Sequence, residues 1–376
     1  MRIGIDCRMM GLKHAGIGRY VENLVTELLK TDKDNEYILF TRKEFTPKAE
    51  FASPNVKLVV AEASHYSLKE QFLLPGLIAK EKVDLMHFPH FNVPVFYFGR
   101  FVVTIHDLIK HTSRGAATTT KNPLIYWLKY LGYKVVFGLT VKRASRILVP
   151  SQSVKNELAR QYGLEAEKIV VTYEGVDKGI KGIKSIKSED VLKKYHIEKP
   201  FLLYVGSVYP HKNVERLIEA VKSLWLMDFR LQLVIVCARS VFWEKLKKKI
   251  QEVRAENEVN LVGFVPEEEL TVLLRGTQVF VFPSLSEGFG LPGLEAMAQG
   301  TPVVASKIPV FQEIYKEAAV YFNPLDSGDM ADKIKLVISD KNLQEKMKKQ
   351  GSELVKGYSW EKMASETLLV YNNALR

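Results

Sequence analysis

Short apolar runs alternate along most of this chain with stretches whose apolar positions recur at helical spacing. The first pattern suits buried strands, the second amphipathic helices. In the first half it predicts strands at 3–6, 37–40, 57–60, 84–88, 101–105, 147–149 and 169–172, with helices at 18–30, 68–80, 123–141 and 153–161. In the second half it predicts strands at 201–205, 231–237, 260–262, 279–282, 302–304 and 319–321. Helices are predicted there at 214–224, 241–252, 267–275, 291–299, 310–315, 328–338 and 341–356. Repeated strand–helix–strand units imply α/β architecture, with parallel sheets covered on both faces. Residues 175–190 are rich in Gly, Lys and Ser and read as a linker between two domains, 1–174 and 191–358. Ligands of open parallel sheets bind beyond the carboxyl ends of the strands, so residues that follow strands carry the functional question.

Composition narrows the classes. A chain of 376 residues that is 47% hydrophobic and 26% charged has the balance of a globular protein with an ample core. Its two cysteines, Cys7 and Cys237, sit in strand-like runs and read as buried thiols in a reducing compartment. No uncharged apolar run is long enough to cross a bilayer, and the amino terminus reads as a first strand, not a signal peptide. Charge is uneven. Residues 1–172 hold 25 Lys and Arg against 16 Asp and Glu, whereas the remaining 204 hold 29 against 27. From 108 to 156 no carboxylate occurs, while Lys110, Arg114, Lys121, Lys129, Lys134, Lys142, Arg143, Arg146 and Lys155 do. Such a block points to an anionic partner or to a merely solvated basic face.

The most informative run follows the strand at 279–282. It contains Glu287, Gly288, Phe289, Gly290, Leu291, Pro292, Gly293 and Glu295. Glycines let backbone approach a ligand, and Pro292 suits the first turn of a helix. The start of that helix is an anion site. Two acids beside it would repel a phosphate unless each has another task, such as accepting hydrogen bonds from sugar hydroxyls.

The run from Ser286 to Ala305, with two glutamates separated by seven residues, resembles the signature of the retaining glycosyltransferases of family 4. Further motifs follow in order: Gly16–x–Gly18–Arg19–Tyr20, Thr104–Ile105–His106–Asp107–Leu108, Val149–Pro150–Ser151, Tyr204–Val205–Gly206, Pro210–His211–Lys212–Asn213 and Tyr358–Ser359–Trp360. The resemblance covers nearly the whole chain. It implies the GT-B fold: two facing Rossmann-like domains with an interdomain cleft, closing about 175–190, and a final helix within 359–376 that returns to the first domain. It implies that Glu295 holds the ribose of a nucleotide and that Glu287 faces the donor sugar. The backbone of Gly288, Phe289, Gly290 and Leu291 would meet sugar and distal phosphate, and Lys212 and Gly16 the diphosphate. His106 would reach the sugar near the reaction centre, and Val265 would lie where backbone recognises the base.

Two positions depart from the family pattern. Ser207 stands where an arginine is common, and His211 stands where related chains carry arginine before the lysine. A diphosphate charge is therefore missing or supplied in part by a titratable His211, which predicts weaker donor binding as pH rises. Arg8, Arg19 and Arg216 are candidate substitutes.

A dinucleotide site is rejected, because Val21 replaces the third glycine and no acid closes the second strand. No metal-ligand spacing accompanies His87 and His90; His87 is expected to line the cleft, and the resemblance implies metal-independent chemistry with no cofactor beyond the donor. Lys121–Arg143 interleaves cations with aromatics, and Leu124, Leu128, Leu131, Val135 and Leu139 form a stripe expected to face the core. The segment is either an interfacial helix on an anionic membrane, which attracts about 1 kcal/mol per basic residue, or an ordinary core helix. Nucleic acid is not expected.

The reading is a cytoplasmic retaining hexosyltransferase, peripheral on the membrane face. It would move mannose from GDP-mannose to a saccharide or lipid-linked saccharide in surface polysaccharide or glycolipid synthesis. The alternative is a nucleotide-sugar epimerase of similar fold, which would convert donor with no acceptor present.

Overall fold

The computed structural model of the chain describes residues 1–11, 15–44, 51, 53–112, 123–177 and 186–375. In chain order come β1 (Arg2–Asp6), α1 (Ala15–Thr31), β2 (Glu36–Thr41), β3 (Val56–Val60), α2 (Leu68–Glu81), β4 (Leu85–Phe88) and β5 (Phe101–Thr104). There follow α3 (Ile109–Thr112), α4 (Pro123–Arg143), β6 (Arg146–Val149), α5 (Gln152–Tyr162), β7 (Ile169–Val171) and α6 (Ser188–Lys194). Next are β8 (Phe201–Val205), α7 (Val214–Leu226), β9 (Gln232–Val236), α8 (Val241–Glu252), β10 (Val259–Gly263), α9 (Glu267–Gly276) and β11 (Val279–Phe282). The chain closes with α10 (Leu291–Ala298), β12 (Val303–Ser306), α11 (Pro309–Tyr315), β13 (Ala319–Phe322), α12 (Ser327–Ser339), α13 (Lys341–Leu354) and α14 (Trp360–Leu375).

Two compact units result. The first holds Met1–Leu108, residues 123–175 and the chain from Ser359; the second holds Val176–Tyr358 with α3. Unit 1 carries a seven-stranded sheet in the order β3-β2-β1-β4-β5-β6-β7, and unit 2 a six-stranded sheet in the order β10-β9-β8-β11-β12-β13. All of their strand pairs are parallel. Central strands β4, β5 and β11 are buried at every position, as uninterrupted apolar runs require when helices cover both faces. Helix α14 packs on α1 and on β4, β5 and β6, within unit 1.

Two expectations need correction. The expected linker does not run to residue 190, since α6 begins at Ser188; residues 178–185 lie outside the described residues, as do Arg114 and Lys121. The leucine stripe of α4 does not face the core: Leu128, Leu131, Val135 and Leu139 are exposed. The opposite face is buried instead. There Tyr133 and Phe137 pack on Phe91, and Phe137 also on Tyr162, while Thr140 bonds the Phe91 carbonyl. The helix is apolar on both sides, and the aromatic side, with more area to bury, is turned inward.

Candidate active site

In unit 2 the chain builds outward from β8 to β10, then returns to place β11 on the other side of β8. Loops leaving the carboxyl ends of β8 and β11 therefore diverge, and an open parallel sheet has its crevice between them. The β8 loop carries His211 and Lys212; the β11 loop carries Glu287 through Gly290.

The β11 loop is locked from below. Gly290 precedes α10 with φ of 102°, a left-handed conformation that favours glycine. An added Cβ there would stand 2.4 Å from the Tyr315 hydroxyl and 2.8 Å from Phe311. That hydroxyl donates to the Gly290 carbonyl at 2.6 Å. At Gly293 a Cβ would meet the same hydroxyl at 2.4 Å. Two glycines are thus needed for the helix start to settle on Tyr315. Phe289 is buried edge-on against Tyr358, 5.6 Å between ring centres, so its backbone and not its side chain faces the loop surface. Pro292, which has no N–H, sits in the first turn of α10, where the dipole is positive; the Gly293 amide donates to the Gly290 carbonyl at 3.2 Å, so an anion there would meet the other first-turn amides.

Glu287 and Lys212 meet across the crevice. The Lys212 ammonium donates to Glu287 Oε1 at 2.5 Å, and Ser284 Oγ donates to the same oxygen at 2.7 Å. Neither side chain is solvated freely: Lys212 is 16% exposed and Glu287 10%. The ammonium also lies 5.8 Å above the Phe282 ring. The apparent conflict of an acid beside an anion site is resolved here by charge pairing. Asn213 holds the two loops in register. Its buried amide donates to the Pro283 carbonyl at 3.0 Å and the Pro324 carbonyl at 2.8 Å, and its oxygen accepts from Arg216 at 2.9 Å. The Leu285 amide bonds the His211 carbonyl at 2.8 Å.

His211 lies flat against Tyr209, 5.9 Å between centres. Burial, with Lys212 beside it, pushes its pKa down to about 4, against a smaller pull from Glu287. The ring is therefore neutral near pH 7. This corrects the expectation that it supplies part of a diphosphate charge across the neutral range. Arg8 also fails as a substitute charge: it is 1% exposed, and its guanidinium is held by Asp6 at 2.6 Å and Glu70 at 2.7 Å. Arg216, four residues after Lys212 and half-buried, lines a pocket of about 530 Å³ with Pro210, Phe242 and Leu285. Glu295 is half-buried one turn into α10, and both Glu295 and Glu287 act on Tyr315, whose pKa rises mainly through burial. Val265 is buried beyond β10, after Gly263 with φ of 92°, and the Arg239 side chain comes within 3.9 Å of where a Gly263 Cβ would stand.

Unit 1 has its own reversal, between β1 and β4. Gly16 lies exposed in the first turn of α1 with open space around its missing Cβ. Gly18 is the glycine that packing demands, since a Cβ would stand 2.5 Å from the Gly11 carbonyl oxygen. His106 follows β5. Its Nε2 donates to the Pro89 carbonyl at 2.9 Å, its Nδ1 lies 3.3 Å from the Glu174 carboxylate, and Tyr20 packs on it edge-on at 4.7 Å. To reach a ligand, a ring nitrogen must exchange one of these partners. His87 does not line a cleft. It is fully buried, with Nε2 2.8 Å from Thr104 Oγ1 and Nδ1 2.6 Å from the Tyr371 hydroxyl of α14. Burial lowers its pKa to about 3, so it is a neutral clasp for the closing helix.

Glu287 and Lys212 are brought together; Glu295 lies a turn away on α10. Sequence reading missed Tyr315, Ser284 and the bridging role of Asn213. Ser284, three residues before Glu287, and Asn213, next to Lys212, had a local signal; Tyr315 had none. Among the described residues no group of three or more His, Cys, Asp or Glu could hold a metal ion, and no helix is long and apolar enough to cross a membrane.

Comparison with known proteins finds two family matches. Residues 187–354 match "Glycosyl transferases group 1", and residues 14–179 match "Glycosyltransferase Family 4". The chain is 31% identical over 344 residues to the O-antigen chain mannosyltransferase RfbU of Salmonella typhimurium, covering 88% of this chain and 89% of that protein. It is 28% identical to the O-antigen chain mannosyltransferase B of Escherichia coli, over 95% of both chains. Among solved structures, a sucrose-phosphate synthase from Thermosynechococcus elongatus superposes with a TM-score of 0.78 at 20% identity, covering 99% of this chain and 98% of that one.

Proposed function

This chain belongs to the glycosyltransferases of group 1 and family 4, with the GT-B fold, and on that premise we propose that it transfers mannose from GDP-mannose, with retention, to a saccharide or lipid-linked saccharide of a surface polysaccharide. The observation that carries the chemistry is the Lys212–Glu287 pair at the reversal of the unit 2 sheet, beside the glycine-bound start of α10. The mannosyltransferase relatives support the sugar.

In this reading the diphosphate takes the α10 amides and draws Lys212 toward itself. The ammonium then meets charge that grows on the departing nucleoside diphosphate, where fixed electrostatics lowers a barrier most. Glu287, relieved of Lys212, accepts from donor-sugar hydroxyls, and Glu295 accepts from ribose. The acceptor attacks the face that the leaving group vacates, and the departing phosphate takes the acceptor's proton. Gly16 lends backbone to the diphosphate and His106 reaches the sugar, exchanging Pro89 or Glu174 to do so. The reaction needs no metal ion or added cofactor, and the enzyme works at the cytoplasmic face of an anionic membrane. No observation favours the epimerase alternative.

A thermal-shift panel of nucleotide sugars, followed by transfer assays with and without chelator, tests this. GDP-mannose should give the largest shift, and transfer should persist in chelator. Stabilisation by a different nucleotide sugar alone overturns the donor assignment, and loss of transfer in chelator overturns metal independence.

A further inference from the structure

We propose that unit 1 docks on anionic phospholipid through the exposed apolar side chains of α4, the segment before β5 and the start of α2. This deepens the membrane reading above by naming the surface and its lipid chemistry.

The outward face of α4 carries Leu128, Leu131, Val135 and Leu139 at helical spacing, with Leu128 63% and Leu131 62% exposed. Four aliphatic side chains on one solvent-facing ridge serve no fold, because the opposite aromatic face already attaches the helix to Phe91. The ridge ends at Arg143, four residues beyond Leu139. Arg143 donates to the carbonyls of Val95 and Tyr97, and its guanidinium lies 5.0 Å from the ring centre of Phe98. Phe98 is 82% exposed. Phe96, also exposed, stacks on Phe72 of α2 at 4.8 Å, and Leu68 stands one turn before Phe72. The α4 ridge, Phe98 against the Arg143 that ends it, and the Phe96–Phe72 stack all belong to unit 1. Apolar surface so extensive marks an interaction site, not scattered exposure.

Charge identifies the occupant. Lys129 and Lys134 flank the ridge on its two sides, the Lys134 ammonium resting 5.6 Å from the Tyr162 ring centre, Lys142 lies on its outer face, and the chain from 108 to 156 contributes no acid. Long cationic stems beside an aliphatic ridge suit an interface where the stems lie in the acyl boundary and the heads reach phosphate. A protein partner would require acids to match this rim, whereas an anionic bilayer presents phosphate throughout. The ridge alone fits an interfacial helix lying in the membrane plane; the three phenylalanines extend the contact beyond it.

The test is flotation of the full chain with vesicles of phosphatidylcholine alone and of phosphatidylcholine with phosphatidylglycerol, in the absence of donor and acceptor. Both Leu131→Glu/Val135→Glu and Phe98→Glu replace exposed side chains, so the fold should persist, as circular dichroism would check. The expected result is flotation with anionic vesicles, weakened by salt and reduced at least tenfold in each variant. Transfer to a water-soluble acceptor should be unchanged in the variants, and failure of that transfer in all forms would count against the proposed function, not against the docking surface. Equal flotation with neutral vesicles, or variants that float like the wild type, would overturn it. So would a dimer in sedimentation velocity that Leu131→Glu/Val135→Glu dissociates, because the face would then belong to a second copy.

Discussion

Replacing Lys212 by Met removes the ammonium that lies over Phe282 and keeps an unbranched apolar stem. Glu287 then retains the Ser284 hydroxyl but loses the 2.5 Å donor on the same oxygen. With Glu287 10% and Lys212 16% exposed, water can replace the lost partner only in part. Hydrogen bonds to charged groups contribute about 1.5–3 kcal/mol, and breaking one side of a fully buried pair costs about 3–5 kcal/mol. Residual exposure places the expected cost low, at about 2 kcal/mol. For a unit the size of Val176–Tyr358 this lowers the melting temperature by about 4–8 °C. Glu287→Gln should lower it less, since an amide oxygen can still accept. The double variant should fall short of the summed losses by about 1–2 kcal/mol. Lys212→Met should also weaken GDP binding at least about tenfold in titration calorimetry, equivalent to about 1.4 kcal/mol. A melting temperature within about 1 °C of wild type, or single losses that add to within about 0.5 kcal/mol, would refute the coupled pair. Unchanged GDP affinity would remove Lys212 from the diphosphate.

Gly290→Ala forces a left-handed φ on a residue with a Cβ and drives that carbon into the Tyr315 hydroxyl, so a loss of at least about 2 kcal/mol is expected in urea unfolding; a loss under about 0.5 kcal/mol would mean the loop relocates freely. Tyr371→Phe leaves the fully buried His87 Nδ1 unpartnered and should cost about 1–2 kcal/mol, with α14 exchanging its amide hydrogens faster; unchanged protection would contradict the clasp. His211 binds its proton less readily folded, at about 4, than unfolded, at about 6.5. The unfolded chain therefore takes up protons first, and stability falls as pH drops through that interval. His211→Gln should flatten this part of the melting-temperature profile while leaving the pH dependence of the donor Michaelis constant between about pH 5.5 and 8 unchanged. Profiles that superimpose on wild type at acid pH, or a donor constant whose pH dependence changes, would show the ring titrating elsewhere.

Local sequence determined the architecture and the main loop. Strand periods with no polar alternation required sheets covered on both faces, and observed strands such as β8 and β11 coincide with the apolar runs because backbone and burial there demand the same residues. The glycine spacing around Gly290 announced a close backbone approach, since nothing but a left-handed turn and a crowded neighbour needs it. Which neighbour crowds it was settled only by folding: Tyr315 is distant in sequence and bears no local mark. The Lys212–Glu287 pair likewise depends on β8 and β11 lying side by side, which a sheet's strand order decides and a linear pattern does not. His87 and Arg8 looked available in sequence and are committed to buried partners brought from far along the chain. In α4 two apolar faces competed for one core, and periodicity alone could not choose between them; the aromatic partners Phe91 and Tyr162, supplied by other elements, did.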